Sequence, residues 1–425
     1  MNPSASDSST QQRDSKLISI SELNQLIDPL TPEKLDSRQQ LDTFARAAWS
    51  HLAEPSDSIA GFLVQQLSAV EALHLVVEKA TPEQIFERLN HSDVAQELEQ
   101  LSGGVRNPVD VIRDGLDRWN PRVNQQSVIQ SLREQANLGG FLLRPADLAS
   151  VVAAKFADLG FWQPFLFYCL GDGKLLAAAS SGISVVGSRA MSRYGEAATH
   201  QFAGDLVDRG KCVVSGGAYG IDAVAHQAVL ALNGQTVAVM AGGLGRLYPI
   251  GNLELLKNIS RLGLVLSELP PSATPTKWRF LRRNRLIAAA TSYTLIIEAG
   301  IRSGAINTAH HAAELGRPVG AIPGLFYSQN SAGCHRLIRE GIAELVTAVD
   351  DIFNTQTTDS LDLTDLGDFE IRILDCFQSV PLSFQEIRKE SGLTTSEAER
   401  GLASLELIGL LVRQDGSWRR VQTTL

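Results

Sequence analysis

The feature that most constrains this chain is a change of period at Ile183. From there to Val349, short apolar runs rich in β-branched residues alternate with amphipathic helical stretches. The runs are Ile183–Val186, Cys212–Val214, Thr236–Met240, Leu264–Leu266, Thr294–Ile297, Val319–Ile322 and Leu345–Val349. Single strands separated by helices predict a parallel sheet with helical crossovers, and runs apolar on both faces fit a sheet covered on both sides. The expected fold is α/β, an extended Rossmann-like doubly wound sheet of about seven strands. Ligands of such sheets bind at the carboxyl ends of the strands, so the turns that follow each run are the places to look for chemistry.

The flanks read differently. Residues 1–16 are polar and Ser-rich and are expected to be a disordered tail. Residues 17–165 read as a helical N-terminal domain. There Leu41, Phe44, Ala45, Ala48 and Trp49 recur at helical spacing, and Pro, Gly and Asn break the later segments. The Rossmann-like domain is expected over 166–353, an acidic linker over 354–365, and a winged-helix-like domain over 366–425. That last unit reads as helices at Phe369–Phe377, Ser383–Glu390 and Thr395–Leu407, then a hairpin turning at Asp415-Gly416. No uncharged run approaches the roughly 20 residues of a membrane helix. The N-terminus lacks a signal peptide's apolar segment, and four well-separated cysteines lack metal-ligand spacing. A cytoplasmic protein with reduced thiols is expected.

The net charge of −9 speaks against a nucleic-acid partner only until it is divided. Residues 1–181 carry net −8, residues 182–350 net +5 and residues 351–425 net −6. Much of the central excess lies in Lys277–Arg285, where five cations and two aromatics share nine residues. Salt screens charge over about 8–10 Å, so acidic ends do not veto an anion site in the middle. Arg and Lys can neutralise phosphates, while Trp278 and Phe280 can stack on bases. The same stretch also fits two core aromatics beneath a solvated rim of cations. In the acidic winged-helix-like domain, protein docking is as apt a role as groove reading.

The turns add small residues and polar groups. The first run ends Gly187-Ser188-Arg189, with Ser192, Tyr194 and Gly195 before a helix; the fifth leads through Glu298 to Ser303-Gly304. The second ends Ser215-Gly216-Gly217-Ala218-Tyr219-Gly220, which imitates a dinucleotide fingerprint with its first glycine replaced. No acidic residue follows the next strand to hold a ribose, so no nicotinamide or flavin is expected. A backbone cradle for phosphate needs only the turn and a helix N-terminus. Asp222, opening the next helix, reads as its cap. Ser215, His226 and Asp222 could be imagined as a catalytic trio, but the sharp Gly-x-Ser-x-Gly elbow is missing. No catalytic residue, metal site or cofactor is expected.

Taken in order, these residues resemble one family. They are Val-Val-Gly187-Ser188-Arg189 with Tyr194-Gly195, and Ser215-Gly216-x-Ala218-x-Gly220-Ile-Asp222 with Ala225-His226. Next come Tyr248-Pro249 and Asn252, Ser267-Glu268, and Phe280-x-x-Arg283-Asn284-Arg285. Glu298-Ala299, Ser303-Gly304 with Thr308, Pro323-Gly324, and Gly333 before Leu337-Ile338 complete the series. The pattern is similar to the DNA-processing protein A family (DprA/Smf) over about 170 residues. Departures are Gly333-Cys334-His335, where the family usually has Gly-x-Asn, and Leu281-Arg282 in place of a frequent Pro-Gln.

The resemblance implies a non-enzymatic protein of DNA uptake and recombination. Such a protein binds and protects single-stranded DNA, helps load the RecA recombinase during natural transformation in competent cells, and is often a homodimer. Matched by motif, the DNA-contact residues would be Arg189, Lys277, Phe280, Arg283, Asn284 and Arg285. Gly187, Ser188, Ser215, Gly216, Ser303 and Gly304 would form phosphate-cradling turns. An alternative reading is a phosphoribohydrolase-like nucleotide-processing enzyme on a related fold, though its Pro-Gly-Gly-x-Gly-Thr-x-x-Glu motif is absent. A third is a scaffold whose basic loops dock an acidic protein.

Overall fold

The computed structural model describes residues 17–89, 93–104, 106–354, 366–377, 381–407, 410–414 and 416–420. The tail expected over residues 1–16 lies outside them, as does nearly all of the expected linker. Two compact units emerge, one ending at Ile352 and one beginning at Phe353.

Within the first unit, the sheet consists of β1 (Phe141–Leu143), β2 (Phe167–Gly171), β3 (Ile183–Val186), β4 (Val213–Ser215) and β5 (Thr236–Val239). It continues with β6 (Leu264–Ser267), β7 (Tyr293–Ile296), β8 (Val319–Ala321) and β9 (Glu344–Leu345). Their order across the sheet is β1-β2-β6-β5-β4-β3-β7-β8-β9. Strands β6 through β9 in that order are parallel, whereas β2 runs antiparallel to β6 and β1 antiparallel to β2. This is the doubly wound arrangement, and strand order reverses between β3 and β7. Each of the seven expected runs meets a strand, but the last strand, Glu344–Leu345, shares only Leu345 with the expected Leu345–Val349, and Val349 opens a helix.

β1 and β2 were not among those runs. β1 is three residues long, too short for period to register. In β2, Phe167-Tyr-Cys-Leu-Gly is apolar throughout, which does not separate a buried strand from a buried helix.

Helices occupy most of Ile20–Asn137. Several begin on the caps their sequences offer, including Asp36 with Gln39 in a reciprocal box before Ser37–Leu52. Their apolar core, with Trp49, Phe62 and Trp119 fully buried, continues without a break onto Leu142, Tyr168, Ala238 and Val265 of the sheet. A second core on the other face gathers Phe156, Val186, Val214, Leu286, Ile296 and Leu337. The helical layer and the sheet thus share apolar contact, which fixes their relative position.

The second unit has helices Asp368–Asp375, Phe384–Ser391 and Thr395–Leu407, with strands β10 (Leu382–Ser383), β11 (Leu411–Gln414) and β12 (Ser417–Arg420) ordered β10-β12-β11. This is the element order of a winged helix. Ser383 and Glu386 form the expected capping box, and Ile373, Ile387, Leu405 and Trp418 build the core.

Candidate nucleic-acid interface

The carboxyl ends of β3 and β7 meet where strand order reverses, and backbone bonds tie them together. Ser188 donates its N–H to the Glu298 carbonyl at 2.7 Å, and Ile297 donates to Val186 at 3.1 Å. The Glu298 carboxylate, 2% exposed, accepts from the Ser192 N–H at 2.8 Å and the Ser192 hydroxyl at 2.6 Å. Ser192 in turn caps the Arg193–Asp208 helix. Gly195 lies so close that a Cβ there would stand 2.6 Å from Glu298 Oε2. Glu298 therefore fixes the course of the Ser188–Ser192 loop.

The glycine-rich turn after β4 is filled from within. Asp222, 6% exposed, turns its carboxylate back to accept the N–H groups of Gly216 at 3.2 Å and Ala218 at 3.4 Å, and Gly187 N–H also bonds it. Burial pushes this carboxyl upward, opposed first by the Arg283 guanidinium and then by those N–H groups. The helix it opens has Gly220 at its N-cap with no side-chain cap bond, so Asp222 anchors the turn rather than capping the helix. Amides expected to cradle a phosphate at Gly187 and Gly216 are thus engaged by an internal carboxylate. Gly220, at φ +77°, brings its Cα so near the Ser188 carbonyl that a Cβ would sit 2.1 Å from that oxygen.

The expected contact residues separate into two groups. Arg283, Asn284 and Arg285 lie in the buried half of the Lys277–Ala290 helix, at 4%, 7% and 1% exposure. Arg283 donates to the carbonyls of Gly216, at 2.7 Å, and Val239. Burial lowers its pKa to about 10, with Asp222 opposing the shift. Asn284 bonds the Gly304 carbonyl and Asn307 Oδ1. Arg285 makes a two-pronged pair with Glu268, at 2.7 and 2.6 Å, and also holds the Trp162 carbonyl. These guanidinia are spent on protein acceptors, so their surface reading gives way to one in which they position loops. Ser215 is interior too, its hydroxyl on the Val185 carbonyl at 2.6 Å. Arg189, Lys277 and Gly304 are exposed, while Gly187, Ser188, Phe280 and Ser303 are half-buried. Ser303 caps the Gly304–Glu314 helix, whose first turn is open: a Cβ at Gly304 would meet nothing within 4 Å.

Around Arg189 the structure assembles aromatics. Its guanidinium lies 4.8 Å from the Phe280 centroid, and the Tyr248 ring lies 5.9 Å from Phe280. Tyr219 and Tyr248 are 46% and 44% exposed. The Gly251 N–H donates to the Tyr219 hydroxyl, and Asn252 bonds the Gly217 and Ala218 carbonyls, so the loops after β4 and β5 are knit together. The result is a set of aromatic rings above the strand ends, with the Arg189 guanidinium against one of them.

The comparisons fall in line with this architecture. The family model for DNA recombination-mediator protein A matches residues 158–357. A Mycobacterium tuberculosis (strain H37Rv) protein named as DNA processing protein DprA is 36% identical over 404 residues, covering 89% of this chain and 95% of the relative. This chain belongs to the DprA family. Protein Smf of Escherichia coli K12 is 35% identical over 266 residues, 59% of this chain and 71% of its own. The X-ray structure of DprA from Streptococcus pneumoniae matches with a TM-score of 0.52 at 29% identity, covering 72% of this chain and 95% of that one.

Two exposed aromatics of this surface, Tyr219 and Tyr248, are absent from the contact residues selected on sequence alone. Both were visible as aromatics in strand-end loops, Tyr219 inside the glycine-rich turn and Tyr248 before Pro249. Among the described residues no group of three or more His, Cys, Asp or Glu side chains could hold a metal ion. Among them, no single helix is long and apolar enough to cross a membrane.

Proposed function

We propose that this chain binds single-stranded DNA, without regard to sequence, across the carboxyl ends of its central strands, and does so without catalysing a reaction on it. The observation that carries the reading is the pair of exposed rings Tyr219 and Tyr248 beside half-buried Phe280, with Arg189 against the Phe280 ring and Lys277 nearby on the same helix as Phe280. Ring faces accept any unpaired base, whereas bases of a duplex are already stacked on one another. Exposed Arg and Lys supply phosphate neutralisation. Gly187, Ser188, Ser303 and Gly304 would line the path, with Ser215, Gly216, Arg283, Asn284 and Arg285 holding its walls.

The nucleotide-processing alternative loses support from Glu298, the carboxylate at the comparable turn. It is buried and held by Ser192 rather than open to substrate. A family described as recombination mediators supports a role in which the strand passes to a RecA-type recombinase during transformation. RecA as partner, a homodimer as the working form and the cytoplasm as its site complete the proposal. The acidic winged-helix unit is assigned to protein docking.

The test is fluorescence anisotropy with a labelled oligothymidine and a duplex of equal length across a salt series. Binding should favour the single strand, and log Kd should vary with log salt by about 0.7 per phosphate contact. Arg189→Ala and Lys277→Ala should each weaken binding and flatten that slope by about 0.7. Unchanged affinity in both variants would reject the interface.

A further inference from the structure

We infer that the DNA path does not end above the strand ends. It crosses the first turn of the Lys277–Ala290 helix and continues in a groove of the N-terminal helical layer, with Trp278 as a base platform and Arg118 and Arg122 as phosphate contacts. This rests on the single-strand reading above and extends it.

The helix itself separates two platforms. At about 100° per residue, Trp278 and Phe280 project some 200° apart, toward opposite sides. Phe280 faces Arg189 and Tyr248. Trp278, 49% exposed, faces a groove of about 510 Å³ that it lines with Leu52, Glu54, Asp57, Arg118 and Arg122. That volume is within the roughly 300–1,000 Å³ of small-ligand pockets, ample for a nucleotide. The Arg282 guanidinium stands 4.0 Å from the Trp278 centroid, adding a cation beside the ring.

The charges favour a polyanion. Glu54 is answered by Arg122 at 3.1 Å and by Arg279 at 3.0 Å, which hold its carboxyl below the usual range against the effect of burial. Asp57 is answered by Arg118 at 3.2 Å and by the Trp119 indole N–H at 3.0 Å. Lys277 and Arg282 are then surplus to both carboxylates. Arg118 and Arg122 have side chains 49% and 44% exposed, while Asp57 keeps the Ala60 and Trp119 N–H donors and Glu54 keeps Arg279 if either guanidinium turns away. A phosphate can therefore draw either guanidinium over without loss of fold. The groove's walls are held in register: Arg279 bridges to Glu54, and Arg285 grips the Trp162 carbonyl on the chain that leads from the helical layer into β2.

The experiment uses the full chain and oligothymidines from 6 to 30 nucleotides, read by anisotropy. Trp278→Ala should leave the shortest bound oligomers unaffected and weaken the longest by about 5- to 150-fold, with Trp278→Phe restoring much of the loss. Arg118→Ala with Arg122→Ala should reduce the salt slope by about 1.4, on long oligomers only. Long oligomers carrying 5-iododeoxyuridine should crosslink to Trp278. If Trp278→Ala binds every length as the wild type does while Arg189→Ala is impaired, the extension is overturned and the primary interface stands. If Trp278→Ala weakens all lengths equally, the ring belongs to the primary interface and the extension is again overturned. If the wild type binds no oligothymidine, both fall.

Discussion

Arg285→Ala offers the sharpest separation of a structural from a contact role. In the folded chain the guanidinium is 1% exposed and Glu268 is 8% exposed. Two short bonds join them, and further bonds run to the carbonyls of Trp162 and Arg282. Truncation leaves the Glu268 carboxylate buried without a countercharge, which costs about 3–5 kcal/mol. Unfolding entropy of about 2.1 cal/mol/K per residue, over a unit that ends at Ile352, gives about 0.7 kcal/mol/K. The expected fall in Tm is thus about 4–7 °C by calorimetry. Replacing both partners, Arg285→Met with Glu268→Leu, should recover part of that fall, because no lone charge remains; the Trp162 carbonyl still lacks its donor. Well below its Tm, the single variant should bind oligothymidine within about threefold of wild type. A Tm within 1 °C of wild type together with a tenfold or greater loss of DNA affinity would refute this reasoning, since the guanidinium would then be serving the ligand and not Glu268.

Other expectations concern pH and backbone. His226 is fully buried against Thr236 and its pKa is lowered to about 3, while an unfolded chain's imidazole protonates near pH 6.5. Stability contributed by keeping it neutral is complete above pH 6.5 and falls as pH drops toward 3, by about 1.4 kcal/mol per pH unit. Urea midpoints at pH 7.5 and 5.5 should show the decline, and His226→Gln should make it shallower; an unchanged slope would reject the assignment. Gly220→Ala should cost about 1–3 kcal/mol through strain at φ +77°, and should displace Ser188 and Arg189. Both urea stability and oligothymidine affinity should fall, and loss of neither would show that the turn tolerates a side chain.

How far the sequence reveals this molecule depends on how local each signal is. The seven central strands were legible because β-branched runs between helical segments leave a period that any window records. β2 exists by pairing with β6, a hundred residues on, and β1 by pairing with β2; pairing with a distant segment leaves no local trace. The strand-end loops were legible as the place where small and charged residues gather, but not the fate of their charges. Arg283 and Arg285 lie just before Leu-Ile-Ala-Ala-Ala, an all-round apolar run that sends the helix inward. That run was the available clue that they are interior. Their partners Asp222 and Glu268 belong to other elements, so only the fold could supply them.

Asp222 has a consequence for how quickly a ligand can leave. In nucleotide-binding sheets the glycine-rich turn clasps one phosphate with several amides at once, so departure means breaking one concentrated grip. Here a resident carboxylate already holds the Gly216 and Ala218 amides, so a strand bound above, as proposed, would be held by separate ring and guanidinium contacts. A chain held that way need not let go all at once. It can be peeled from one end, a contact at a time, by a competitor that advances along it.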